Sequence, residues 1–491
     1  MADSFAHLHV HTEYSMLDGA SRLDEAIAAA VADGQPAMAI TDHGNMYGVL
    51  DFYRGCKDQG IKPIIGTEIY LAHESRHERP SRRGRADDSG GDTGGGKKLY
   101  YHAILMAENN VGYQNLIQLS SKAYMEGYHY KPRADWELME QYAEGIIATS
   151  GCLGGHVLQS LMQGQHDAAL EHAARFQDIF GRDNFFIELQ DQGIPEQRTT
   201  NPQLLEIARK INAPILATND SHYTHQHDAE AHDALLCVQT GSLLSDTDRF
   251  KFHGDGHYIK TAGEMRRLFG EVPEACDNTL WIAERCDVEI EFGKPQLPEF
   301  PLPEGFATDT EYLRHLTYEG AHKRWGANLS DEVVERLDYE LGVIDNMGFS
   351  AYFLITWDLI RYARDNDIRV GPGRGSAAGC AVAYTLWITD LDPIEYDLLF
   401  ERFLNPSRVS MPDIDMDFDT RYRDNMIRYA ADMYGRDCVA QIVTFSQIKA
   451  RAAVRDAARV LGYPYSVGDK VAKAMPPLIM GRDTPLKYCF E

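Results

Sequence analysis

The residues able to do chemistry begin almost at the amino terminus. In the run Phe5-Ala-His7-Leu-His9-Val-His11, two histidines stand one residue apart, and Asp18 follows. If residues 5–10 form a strand, alternate side chains share a face, so the imidazoles of His9 and His11 point the same way. Asp18, in the loop that follows, can close on the same space. Imidazole nitrogen and carboxylate oxygen are ligands that zinc, manganese and iron accept. An HxH pair alone is weak evidence. It gains weight because similar groups recur in Thr41-Asp42-His43, in Gly66-Thr67-Glu68, at His102, in Ala148-Thr-Ser-Gly-Cys152 and in Asn219-Asp220-Ser221-His222. His9, His11, Asp18, His43, Glu68, His102, Cys152, Asp220 and His222 are too many for one tetrahedral ion. They suit two or three ions that share bridging carboxylates. Taken singly, Cys152 reads as a small core residue, Asp18 as a helix cap, Asp220 as a turn former and His43 as a surface imidazole. Recurrence outweighs those readings. His7 fits the strand phase but has no further partner and is left out, and His73, His77, His225 and His227 read as solvated.

The elements that must carry these groups alternate. Short apolar runs at 36–41, 64–71, 100–106, 145–149, 185–189 and 214–218 read as strands, and the amphipathic segments 23–32, 110–123 and 204–212 between them read as helices. Such alternation predicts a parallel sheet, doubly wound or closed into a barrel, with chemistry at the carboxyl ends of the strands. Each of the nine groups falls at or just beyond a predicted strand. Residues 75–98 interrupt the pattern with Arg and Gly and almost no apolar side chain, so this segment is expected to be mobile. Its Arg-rich half could touch a DNA strand, although a solvated loop is the favoured reading. Residues 228–286 read as helical, and a Pro-rich stretch at 295–304 reads as a linker near the first domain boundary.

A second set of signals lies beyond the linker. Residues 369–379, Arg369-Val-Gly-Pro-Gly-Arg374-Gly375-Ser376-Ala-Ala-Gly, form a glycine-rich turn opening a helix, a backbone cradle for anions to which Arg374 adds charge and Ser376 a hydroxyl. Some forty residues on comes Met411-Pro-Asp413-Ile-Asp415-Met-Asp417-Phe418. On a strand the three aspartates would share one face, which is costly without a cation. Such carboxylates suit two magnesium ions holding a triphosphate and a 3′-hydroxyl in line. Residues 436–491 carry nine Lys/Arg against five Asp/Glu, and Arg451, Arg455 and Arg459 recur every four residues as a helical stripe suited to a phosphate backbone.

Composition sets the limits. The chain has 491 residues, too long for one ordinary core, with 44% hydrophobic and 25% charged residues, so two or three globular domains are expected. A net charge of −26 argues against a simple nucleic-acid-coating protein and leaves DNA contact to local basic patches. The eight cysteines lack CxxC spacing, so neither a disulfide framework nor a zinc finger is indicated. No apolar run nears the roughly 20 residues of a membrane span, and the start lacks a basic and apolar leader. A cytoplasmic protein with no membrane partner is expected.

His9-Val-His11, Thr41-Asp42-His43-Gly-Asn and Asn219-Asp220-Ser221-His222 resemble a PHP (polymerase and histidinol phosphatase) domain, a distorted β/α barrel holding a metal cluster. All nine positions match the best-equipped members, which implies an active phosphoesterase holding two or three zinc, manganese or iron ions. Inside a polymerase it would be a proofreading 3′→5′ exonuclease. Residues 371–379, Leu399-Phe-Glu-Arg402-Phe-Leu-Asn-Pro and residues 412–418 resemble the bacterial C-family replicative DNA polymerases, and the likeness runs from residue 5 to the end. It implies a PHP domain at 1–287 carrying the 75–98 insertion, the first part of a nucleotidyltransferase-type palm at 288–435, and the start of a helical thumb at 436–491. Carried over, Asp413 and Asp415 would bind Mg2+, and Arg374, Gly375, Ser376 and Arg402 would grip the incoming dNTP. Asp417 is a neighbour without an assigned role, and Arg451, Arg455 and Arg459 would meet DNA. The family's third palm carboxylate, fingers and clamp-binding segment are expected downstream, so this chain reads as a fragment that should not extend a primer. Primer-template DNA, dNTPs, the sliding clamp and other replisome subunits are the implied partners. Two other readings are a free-standing phosphatase of histidinol-phosphate type and a metal-stabilised docking domain.

Overall fold

A computed structural model describes residues 3–83, 92–93, 98–294, 296–407, 411–477 and 484–489. The chain forms two compact units, residues 1–289 together with 447–491, and residues 290–446.

The first unit is built on the strands β1 Ala37–Ile40, β2 Lys62–Ala72, β3 Tyr100–Ala107, β4 Ile146–Thr149, β5 Phe185–Gln190 and β6 Ile215–Thr218, hydrogen-bonded in that order. The expected segments are present, but the sheet is mixed: β3 is antiparallel to both β2 and β4, and the other neighbours are parallel. Residues 5–11 form isolated bridges rather than a regular strand, and these bridges close the ring. On one side Ala39 and Thr41 donate to the carbonyls of His7 and Val10 (2.8 and 3.0 Å). On the other, His11 donates to Ser221 (2.8 Å) and Ser221 to His9 (3.1 Å). The result is a distorted α/β barrel whose seam joins its first and last strand-like segments.

Burial explains the phase along residues 5–11. Ala6 and Leu8 pack with Ala37, Ile64, Ile104, Phe186 and Leu216, and with Ile282 of the helix Glu274–Arg285, in one apolar cluster. His7, His9 and His11 occupy the alternate positions. Burying each larger side chain of that cluster, Leu8, Ile64, Ile104, Phe186, Leu216 and Ile282, stabilises the barrel by about 1.5–3 kcal/mol, which holds the imidazoles in register.

Of the segment expected to be mobile, residues 84–91 and 94–97 lie outside the described residues. Its beginning is anchored. The Arg76 guanidinium is largely buried, meets Asp135 at 2.9 Å, Glu126 at 2.7 Å and Glu137 at 2.8 Å, and docks the chain onto the N-cap of the helix Trp136–Gln141. The polar sequence concealed this, because a buried arginine and a solvated one look alike until the carboxylates are located.

The second unit is largely helical. Asp309–Trp325, Asp331–Asn346 and Ser350–Asp365 pack through Leu313, Leu337, Ile344 and Phe353 against Val382, Phe400 and Ile414. Thr308 and Ser330 cap the first two helices, accepting from Glu311 N and Val333 N. The strand expected over 411–418 is absent from the described residues 411–417: the segment has no regular secondary structure, and Phe418 makes an isolated strand-like bridge, antiparallel to Val370.

Candidate metal centre and glycine-rich loop

All nine donors predicted in the first unit meet in one buried cluster at one end of the barrel. Glu68, on β2, is its hub. Its Oε1 lies 2.7 Å from His43 Nδ1 and 2.8 Å from His102 Nδ1, and its Oε2 lies 3.1 Å from His9 Nε2 and 3.8 Å from His11 Nε2. Asp220 is a second shared carboxylate, with Oδ1 at 3.1 Å from His9 Nε2, 3.3 Å from His11 Nε2 and 3.5 Å from His222 Nδ1. Asp18 Oδ2 meets His43 Nε2 at 3.0 Å. Cys152 Sγ stands 3.7 Å from His102 Nδ1 and 3.9 Å from Glu68 Oε2. His102 begins β3 rather than ending it. Because β3 runs antiparallel to both β2 and β4, its amino end sits where the carboxyl ends of those two strands sit.

Four groupings bring three donor atoms within 4.8 Å of one another: His11, His43 and His222; His9, His11 and Asp220; His43, Glu68 and His102; and Asp220, His222 and His257. His257 was missed by sequence reasoning, since it stands alone in a Gly- and Asp-rich loop. Its Nε2 and that of His102 are buried and make no hydrogen bond among the described residues. Burying such nitrogens unsatisfied is costly. A soft and a hard set of donors, stacked around two shared carboxylates, fits divalent cations of the zinc and manganese class.

The charges in the cluster depend on one another. Burial alone would raise the Glu68 pKa, but His102 and His43 hold it well below the usual carboxylate range. Asp220 likewise stays low despite burial, through His9 and His222. Burial would lower His9, yet Asp220 and Glu188 hold it well above an ordinary histidine. His11 is pushed down to about 4, by burial first and then by His43. Burial, with Glu68 and Asp220 beside it, raises the Cys152 thiol.

Sequence reasoning also missed Glu188. It lies inside the apolar run of β5 and is fully buried, with Oε1 at 2.7 Å from His9 Nδ1. Thr218 Oγ1 (2.5 Å) and Gln190 Nε2 (2.9 Å) donate to the same oxygen, and Thr149 Oγ1 to Oε2. A carboxylate so surrounded accepts the Nδ1 proton of His9 and aims Nε2 into the cluster. Ser15 supports His11 similarly: its hydroxyl lies 3.1 Å from His11 Nδ1 and donates to Asp42 Oδ1 (2.6 Å).

In the second unit, Arg374 bridges two of the three aspartates, with Nη1 at 3.0 Å from Asp415 Oδ2 and Nε at 3.2 Å from Asp417 Oδ2. Gly371 N donates to Asp417 O (2.8 Å), tying the glycine-rich turn to the acidic segment. Gly375 has φ +70°, a left-handed conformation that glycine adopts without strain, and a Cβ there would stand 3.6 Å from Asp415 Oδ2. Asp413 and Ser376 are exposed, and Ile414 between the aspartates is buried. Arg402 is exposed on the 3-10 turn Phe400–Arg402, with no side-chain hydrogen bond or ion pair among the described residues. Behind the loop, Glu340 was not foreseen. Wholly buried, it accepts from Ala381 N (3.0 Å), Val382 N (2.9 Å) and Arg336 Nε (2.6 Å) and anchors the helix that follows the turn.

The basic stripe is engaged within the first unit. Arg451 donates to Pro476 O (2.7 Å), Arg455 to Asp469 (3.0 Å), and Arg459 approaches the carbonyls of Ser242 and Cys237 at 3.5 and 3.4 Å.

Residues 7–192 match the PHP domain family, and residues 311–488 match the family described as the bacterial DNA polymerase III alpha NTPase domain. The DNA polymerase III subunit alpha of Mycobacterium tuberculosis (strain ATCC 25618 / H37Rv) is 51% identical over 496 residues, an alignment covering 98% of this chain and 41% of that protein. The proteins of the same name from Treponema pallidum (strain Nichols) and Thermus aquaticus are 48% and 41% identical, covering 96% and 99% of this chain and 39% and 44% of their own lengths. The chain thus spans about two fifths of the length of these curated relatives.

Proposed function

This chain belongs to the bacterial DNA polymerase III alpha subunit family, and we propose that its barrel is a metal-dependent phosphoesterase that removes nucleotides from DNA 3′ ends as part of a replicase. One observation supports this most: nine donor groups, drawn from residues 9 to 222, converge on the two shared carboxylates of Glu68 and Asp220. Two or three divalent cations bound there, zinc, manganese or iron, would acidify water and neutralise charge on a phosphate ester. The protein's own part is to hold and orient. Glu68 offers one oxygen to His43 and His102 and the other to His9 and His11, so its two oxygens face two subsites. Glu188 fixes the His9 tautomer. Seven of the nine donors, Asp18, His43, Glu68, His102, Cys152, Asp220 and His222, line one cavity, which a phosphate would enter.

For the second unit we propose that Asp413 and Asp415 hold Mg2+, and that Arg374, Gly375, Ser376 and Arg402 receive a dNTP triphosphate. The ion pair between Arg374 and Asp415 supports a shared site for these two. Primer-template DNA and other replisome subunits are the proposed partners. For Arg451, Arg455 and Arg459 the DNA contact proposed from their spacing competes with the intramolecular bonds they make.

The test is to incubate the protein with Mn2+ or Zn2+ and a 5′-labelled single strand carrying a free 3′-hydroxyl. A ladder shortening from the 3′ end is expected, and Asp220→Asn should abolish it while leaving the protein folded by circular dichroism. Unaltered digestion by that variant would refute the metal assignment. Release of phosphate from small monoesters without any ladder would favour the histidinol-phosphate type of reaction.

A further inference from the structure

The metal cluster forms the floor of a cavity of about 370 Å³, within the range of small-molecule sites and large enough for a nucleotide. Carboxylates and imidazoles of the cluster share the lining of this cavity with Phe250, Lys251, Phe252 and Ile194. Phe252 is braced by imidazoles on several sides: its ring centroid lies 4.6 Å from that of His222, 4.7 Å from His257 and 4.8 Å from His232, each near edge-on. Phe250 meets Phe252 edge-on at 5.8 Å. Both rings remain half-buried. An aromatic held in place but partly open, one ring away from His222, suits a planar apolar group that arrives together with a phosphate. Lys251, between these two residues in the sequence, is exposed and has no ion-pair partner among the described residues.

We propose that Phe250, Lys251 and Phe252 form a nucleotide subsite, in which a base of an unpaired DNA 3′ end packs on Phe252 and the adjoining backbone phosphate pairs with Lys251. This rests on the phosphoesterase reading of the barrel and goes beyond it by naming the side chains that hold an unpaired strand end outside the donor cluster. Base stacking on an aromatic does not depend on sequence, because every base has a π-face. A lone ammonium follows the backbone without reading it. The subsite therefore selects unpaired strands of any sequence and leaves the choice of scissile bond to the cluster below.

The experiment uses the whole chain with Mn2+ and two substrates, a single-stranded oligothymidylate and the small diester bis(p-nitrophenyl) phosphate, with Phe252→Leu, Phe252→Tyr and Lys251→Ala. Direct binding of a 5′-fluorescein oligothymidylate, read by anisotropy in the Asp220→Asn background, gives a measure separate from turnover. Phe252→Leu should raise the oligonucleotide KM and Kd about tenfold, as loss of one stacking partner does, and its loss on the small diester should be several-fold smaller. Phe252→Tyr should restore oligonucleotide binding to within about twofold. Lys251→Ala should weaken binding and lower the slope of log K against log salt by about one. Equal behaviour of the Leu and Tyr variants, an unchanged salt slope, or proportional losses on both substrates would overturn the subsite. If the unaltered protein cleaves neither substrate, the phosphoesterase reading fails and the subsite fails with it; cleavage of both substrates with no effect of the three variants removes the subsite alone.

Discussion

Glu188 shows what single residues contribute here beyond the ligand set. It touches none of the predicted ligands except His9, yet its oxygens take up the proton-bearing Nδ1 of that ring and two threonine hydroxyls. Replacing such a partner typically weakens metal affinity 10- to 100-fold. Glu188→Gln should therefore weaken Mn2+ binding by about that factor, measured by isothermal titration, with a near-native circular dichroism spectrum. Affinity equal to the unaltered protein would mean that His9 is oriented by backbone alone. The nine donors could be read in the sequence because each interrupts or follows an apolar run with a group that has no reason to be there. Glu188 could not, because a glutamate within Phe185-Phe-Ile-Glu-Leu gives no sign of whether it faces a partner or water. His257 was hidden for another reason: its neighbours in the chain are unrelated to its neighbours in space.

Among elements, strand direction was the feature least visible in the sequence. Apolar runs locate β1 to β6, but periodicity carries no sign of direction, and β3 is reversed. The rule that placed donors at carboxyl ends therefore holds for β1 and β6 and fails for His102, which reaches the cluster from an amino end. Helix packing supplies a test of pH response. His156, at the start of the helix His156–Met162, stacks on Tyr101 (3.6 Å between centroids) and lies 4.7 Å from the His172 ring. Burial, then His172 and His73, hold its pKa well below 6.5. The unfolded chain therefore binds more protons than the fold as pH drops beneath 6.5, so stability is whole above that value and declines on acidification. Urea midpoints at pH 7.5 and pH 5 should differ less in His156→Phe than in the unaltered protein. An equal or larger difference would show that this imidazole is not part of the acid response. Likewise Glu340→Ala should destabilise the second unit by roughly 3–5 kcal/mol, because Arg336 loses its buried partner and two helix N–H groups lose their acceptor. Guanidinium unfolding followed at the Trp fluorescence would measure it.

At the scale of the molecule, two units mean that a single unfolding free energy is ill defined. All nine proposed ligands lie in the first unit. Mn2+ at a hundred times its Kd there should stabilise that unit by about 2.7 kcal/mol for each ion bound, more than any Mn2+ taken up at Asp413 and Asp415 stabilises the second. Scanning calorimetry with and without Mn2+ would separate them, and an equal upward shift of both transitions would mean that the ions bind elsewhere too. Residues 447–491 return to the first unit, where Leu244 N donates to Val460 O (3.0 Å). Charge singled out this segment in the sequence, but charge does not reveal a packing partner some two hundred residues earlier. Among the described residues no helix is long and apolar enough to cross a membrane.

The seam of the barrel has a consequence for how the protein matures. His9 and His11 sit where the first strand-like segment meets Ser221, so their final positions wait for a contact between chain parts far apart in sequence. Such distant pairings form late, after the entropy of closing a long loop has been overcome. The donor cluster is thus assembled at the end of folding rather than serving as its nucleus, and an emerging chain on the ribosome cannot close it until residue 222 has been made and drawn back to the beginning.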